Sequence, residues 1–110
     1  MEEVERAFER MESLIGDHDA RLVLQEARSD FVRSIESLDQ NARTGNVDSF
    51  RRSVHALAGT LSTFGFCGAS DECQRLLARP MEVVPDFAHV RRQVLSIASN
   101  LQNLPKNTGS

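Results

Sequence analysis

Apolar residues recur along this chain at alternating spacings of three and four, the interval that places side chains on one face of an α-helix. Five segments carry the pattern. Residues 2 to about 15 hold Val4, Phe8, Met11 and Ile15, and Gly16 ends the run. The second segment, from about Ala20 to Ala42, keeps Leu24, Ala27, Phe31, Ile35, Leu38 and Ala42 on one stripe, with Arg, Glu and Asp on the other faces. Asp17 or Asp19 can cap its start, and Arg43-Thr44-Gly45 supplies a basic last turn followed by a terminating glycine. The third helix takes Asn46 as its N-cap, has Asp48 in its first turn, buries Phe50, Val54, Leu57, Leu61 and Phe64, and stops at Gly65. The fourth runs from about Cys67 or Gly68 to Arg79 on Ala69, Cys73, Leu76 and Leu77, and Pro80 stops it. Pro80 to Pro85 reads as a loop. The fifth helix spans about Asp86 to Leu104 on Phe87, Val90, Val94, Ile97, Leu101 and Leu104.

Short connections between helices of similar length imply antiparallel neighbours. The expected fold is all-α: an up-down antiparallel four-helix bundle made of the second to fifth helices, with an additional N-terminal helix packed across one end. Residues 1–104 are expected to form a single helical domain and residues 105–110 a flexible tail. At 110 residues, 40% hydrophobic and 26% charged, the chain has the size and mix for one domain with a real core. It has no Trp and no Tyr, whereas the good helix formers are plentiful, which agrees with the periodicity.

The formal net charge of −3 argues against a nucleic-acid partner, which calls for a basic face. No apolar run approaches the length of a membrane span, and the N-terminus is acidic, unlike a signal peptide. Cys67 and Cys73 make neither a disulfide framework nor a zinc site; Cys73 falls at a core spacing before Leu76 and Leu77 and reads as a reduced, buried thiol. Together these point to the cytoplasm.

Most site chemistry has no candidate here. There is no Gly-rich phosphate loop, no His-Glu-x-x-His, no Cys/His metal spacing, and no pair of Glu-x-x-His motifs for a di-iron bundle. His18 and His89 read as surface residues. His55 differs because it lies off the apolar stripe of the third helix. Its neighbours three, four and seven residues away are Asp48, Arg51, Arg52, Ala58, Gly59 and Ser62, every one polar or very small. Gly59 in mid-helix costs roughly 1 kcal/mol relative to alanine. Either a partner surface approaches the imidazole over it, or another helix of the same chain packs closely there. A neutral imidazole is a good nucleophile, its free pKa is about 6.5, and it can accept a phosphoryl group on a ring nitrogen.

The run His55-Ala56-Leu57-Ala58-Gly59, followed by Gly65 and then by Cys73 and Leu76, resembles the signature of histidine-containing phosphotransfer (HPt) domains of two-component phosphorelays. The long helix with Phe31 and Leu38, the Gly45-Asn46 turn and the Arg51-Arg52 pair fall where that family has equivalents, so the resemblance covers about residues 20 to 79. It implies that His55 is the phosphoacceptor, on Nε2, that Gly59 clears room for the partner, and that Gly65 ends the helix. It implies that Arg51, Arg52, Ala58, Gly59 and Ser62 form the docking surface and phosphate environment, with Gln74 or Arg75 of the next helix at the rim. It also implies receiver domains and a hybrid sensor histidine kinase as partners, Mg²⁺ held by the receiver, no cofactor, metal or nucleotide site in this chain, and a monomer. Two positions depart from the family pattern: Ala58 stands where a lysine is usual, and Leu77 where a glutamate follows the fourth-helix leucine. Arg51, four residues before His55, is the better placed of the two arginines to supply the missing charge. The alternative reading is a degenerate HPt-like bundle that only binds a receiver or a kinase.

Overall fold

The structure is a computed structural model that describes residues 2–78 and 83–104. It is all-helical, with α1 (Glu2–Ile15), α2 (Asp17–Thr44), α3 (Val47–Thr63), α4 (Cys67–Ala78) and α5 (Val83–Gln102), and no strand among the described residues. The side chains of residues 83–86, the stretch 79–82 and the tail 105–110 lie outside the described residues, and with them most of the expected Pro80–Pro85 loop. The chain is elongated, 50 × 21 × 19 Å. α2 packs against α3 and α5, α4 packs against α3 and α5, and α1 lies on α2 and α5.

One continuous cluster of buried side chains draws on all five helices. Phe31 of α2 is fully buried at its centre, edge-on to Phe66 at 5.9 Å and to Phe64 at 6.2 Å between ring centroids. Phe50 of α3 meets Phe87 of α5 edge-on at 5.2 Å. Such aromatic pairs add about 1 kcal/mol each beyond the area that they bury. The expected stripes of α2 and α5 are buried as read, apart from half-buried Ala42 and Leu104 at their ends. Phe66, which no helical stripe included, is fully buried as well.

The two tight corners have the same construction. At Gly45, φ is 70°, and the amides of Gly45 and Asn46 turn back to Ala42 O and Asn41 O. Asn46 then caps α3 by accepting a hydrogen bond from the Ser49 amide at 3.2 Å. At Gly65, φ is 85°, the Gly65 amide reaches Ser62 O at 3.0 Å, and the Phe66 amide reaches Leu61 O at 2.9 Å. This is a Schellman closure, and its apolar partners, Leu61 and Phe66, are both in the core. Arginines from other helices secure the ends: Arg10 donates to Phe64 O at 3.3 Å and Arg51 to Leu77 O at 2.8 Å. Both place a cation at the negative end of a helix.

Three expectations need correction. α2 starts at Asp17 rather than Ala20, and its N-cap is Gly16, which has no side chain to offer; the Asp17 carboxylate instead pairs with Arg21 at 3.0 Å. The positive φ of Gly16 lets α2 begin one residue after α1 ends, so no room remains for an aspartate cap. On α1, Val4 and Ala7 are buried, Phe8 and Met11 half-buried, and Ile15 is 42% exposed, because only the early turns lie on the core while the later ones overhang it. α5 starts at Val83, ahead of Asp86, which puts Pro85 in a first turn, where its missing N–H has no partner to lose.

Cys73 is buried as expected, and its pKa is raised from 9.0 to about 11, first by desolvation and then by the neighbouring Glu72 carboxylate. The unfolded chain therefore loses this proton first as pH rises. The stabilisation is complete below pH 9 and is lost progressively up to about pH 11. Urea unfolding from pH 8 to 11 is expected to show a steeper loss of stability in the wild type than in Cys73→Ala, which is less stable at pH 8 but lacks this component.

Candidate functional site

α3 is held between α2 and α4, so the part of its surface left to solvent is narrow. Phe50, Val54, Leu57 and Leu61 point inward. On the α2 side, Ser53 receives a hydrogen bond from Asn41 at 3.4 Å. On the α4 side, Ser70 donates from Oγ to Ala58 O at 2.9 Å, and the Arg51 guanidinium reaches across to Leu77 O. Between these flanks Asp48, Arg52, His55, Ala56, Gly59, Ser62 and Thr63 are exposed. The result is a strip with one imidazole, one carboxylate and one guanidinium among small side chains.

His55 is exposed on this strip, one turn before Gly59. A Cβ built at Gly59 would meet nothing within 4 Å. Among the described residues, no helix of the same chain packs closely enough there to be the reason for glycine. The space beside His55 is open to solvent. Ser62, a further turn along, is also exposed.

Two of the residues expected in this environment lie elsewhere. Ala58 is 1% exposed and belongs to the core, so its side chain cannot line a docking surface. It lies about 60° round the helix from His55, on the side where α4 comes close. A helix packed on two neighbours buries a wider arc than one apolar stripe, and Ala58 falls at the edge of that arc. Arg51 is half-buried with its guanidinium on the α4 carbonyl end, so it closes a helix terminus and does not face the imidazole. Arg52 is the exposed member of the pair.

On α4, Gln74 is exposed, whereas Arg75 pairs with Glu72 at 2.6 Å. The other oxygen of Glu72 faces His89 of α5 at 3.8 Å. Arg75 therefore belongs to the α4–α5 side of the molecule, away from the α3 strip. His18 and His89 are exposed, as read from the sequence. Ser70 was missed. Its position, four residues after Phe66 and three before Cys73, marks it as inward-facing, but only the fold shows that it ties α4 to the backbone just beneath the strip.

Among the described residues no group of three or more His, Cys, Asp or Glu is arranged to hold a metal ion, and no helix is long and apolar enough to cross a membrane. An open concavity of about 740 Å³ along α2, lined by Gln25, Arg28, Val32 and their neighbours, contains no residue of α3. His55 itself lies on an exposed helix face. The sequence matches no protein-family model, and comparison with curated proteins and with solved structures likewise yields no significant match.

The open space at Gly59 has a direct consequence for stability. Gly59→Ala adds a helix-favouring methyl that touches nothing, and is expected to raise the unfolding free energy by about 0.5–1 kcal/mol. Urea titration of the two proteins checks this. A loss of stability would mean that the position is occupied.

Proposed function

We propose that this chain is a phosphocarrier of the HPt type, in which His55 receives a phosphoryl group from the phospho-aspartate of one receiver domain and passes it to another. In this reading the five helices form an up-down antiparallel four-helix bundle of α2 to α5 with α1 added at one end. The ring of contacts α2–α3–α4–α5–α2 and the short corners at Gly45 and Gly65 support that arrangement. The observation that carries the functional reading is the pairing of exposed His55 with Gly59, a glycine that costs helix stability and that no described residue packs against.

The step needs little from this chain. The neutral imidazole attacks phosphorus through Nε2. The acyl phosphate P–O bond breaks, its electron pair stays on the receiver's carboxylate, and the proton on Nδ1 passes to solvent. Stabilisation of the charge on the transferring group comes chiefly from Mg²⁺ and cations of the receiver, as in phosphoryl transfer generally. The low-relief strip on either side of His55 suits a partner that must bring its own active site against the imidazole. Cytoplasmic location, a monomeric state, and a hybrid sensor kinase as the ultimate source of phosphate complete the proposal.

A second reading has one observation in its favour. With Ala58 buried and Arg51 tied to α4, the strip carries less positive charge than a phosphate site usually has. A bundle that binds a receiver without accepting phosphate would tolerate that.

His55→Gln separates the two. It is expected to abolish uptake of phosphate from a phosphorylated receiver and from phosphoramidate, read by intact mass and phosphorus NMR, while the circular dichroism spectrum and Tm stay unchanged. Uptake that survives in this variant removes His55 from the role. A wild type that binds receivers yet takes up nothing from either donor supports the binding module instead.

A further inference from the structure

We infer that Arg52 is the one side chain of the α3 strip that engages a phosphoryl group on His55, an inference that rests on the phosphocarrier reading. A phosphohistidine carries a doubly charged group on an exposed ring, and such a group gains most from a guanidinium that can meet two of its oxygens at once. Among the described residues, four positions come into question for a cation near His55, and three of them do not serve. Arg51 is fixed on Leu77 O at 2.8 Å. Position 58 carries only a methyl group, 1% exposed and in the core, and supplies no cation. Arg75 is drawn to Glu72 on the far side of α4.

Arg52 remains. It is exposed and lies three residues before His55, so the two side chains leave adjacent points of the same helix face, about 5–6 Å apart at Cβ. Both are long enough for the guanidinium to meet a phosphoryl group on Nε2. Asp48, one turn before Arg52 and also exposed, is the acidic group on the same strip. No ion pair joins them. The adjacent arginines thus divide two tasks: Arg51 closes α4, and Arg52 faces the chemistry.

The experiment compares wild type, Arg51→Gln, Arg52→Gln and Arg52→Lys with phosphoramidate as donor. In that reaction the P–N bond to ammonia breaks, the electron pair leaves with the ammonia, and the new bond forms to His55 Nε2. Arg52→Gln is expected to slow uptake about tenfold with Tm unchanged, and to remove most of the slowing that added salt causes in the wild type. Arg52→Lys is expected to restore part of the rate. Arg51→Gln is expected to lower Tm and leave uptake within about twofold. Wild-type uptake with Arg52→Gln equally fast overturns this inference alone, as does a rate loss in Arg51→Gln as large as that in Arg52→Gln. A wild type that accepts phosphate from neither phosphoramidate nor a receiver overturns the phosphocarrier reading, and this inference with it.

Discussion

The corner at Phe64-Gly65-Phe66 governs the rest of the molecule. Gly65 stands at φ 85°, a conformation that costs other residues of order 1 kcal/mol or more, and its Cβ position is covered by the Arg10 guanidinium. That turn lets Phe66 bond back to Leu61 O and drop into the core beside Phe31, while Phe64 meets the same ring from the other side of the corner. With Phe66 seated, α4 must run back along α3. Ser70 then reaches Ala58 O, and Arg51 reaches the last turn of α4. The corner, one serine and one arginine fix the relative position of the two helices at three points along their length.

This fixing determines what solvent sees of α3. Because α2 takes one flank and α4 the other, the exposed strip is narrow, and most of the residues on it are small. Polar flank residues are occupied in holding neighbours: Ser53 with Asn41, Arg51 with Leu77. The residues that make no such contact are the ones around His55. Gly59 belongs with them, since it does not turn the chain and admits no other helix among the described residues. An exposed mid-helix glycine works against stability at a place where alanine would fit without strain, which is the kind of local inconsistency expected where a surface serves something other than folding.

Much of this was legible in the sequence wherever a residue's role depends on spacing alone. The stripes of α2 and α5, the α3 stripe up to Leu61, the Asn46 cap, and the end of α3 follow from period and capping chemistry. Where a role depends on a partner far along the chain, spacing was not enough. Arg51 sits one turn before His55, and only the approach of α4 shows that its guanidinium has an acceptor elsewhere. Ala58 is small enough to read as surface, and only two-sided packing of α3 puts it in the core. Phe66 sits between two helical patterns and belongs to neither, so no periodicity could assign it. The Gly16 cap was missed for a related reason: aspartates after a glycine look like caps until one sees that the turn leaves no residue outside the helix to do the capping.

The contrast between Arg51 and Arg52 shows how far composition can mislead about a site. As a dipeptide they look like a doubled positive charge beside a histidine. In the fold the two leave the helix on opposite sides of His55, about 40° away for Arg51 and about 60° for Arg52, and what separates them is the neighbour that each side meets. Arg51 turns toward α4, where a carbonyl end gives it a partner, and this leaves the strip around His55 nearly free of fixed charge: Arg52 on one side, Asp48 beyond it, and uncharged small residues from Ala56 to Thr63. A surface of this kind attracts no one class of partner strongly by electrostatics alone. In the proposed carrier role, selectivity then has to come from shape, through the flat approach over Gly59 and Ser62, and from the groups that a receiver brings to the imidazole.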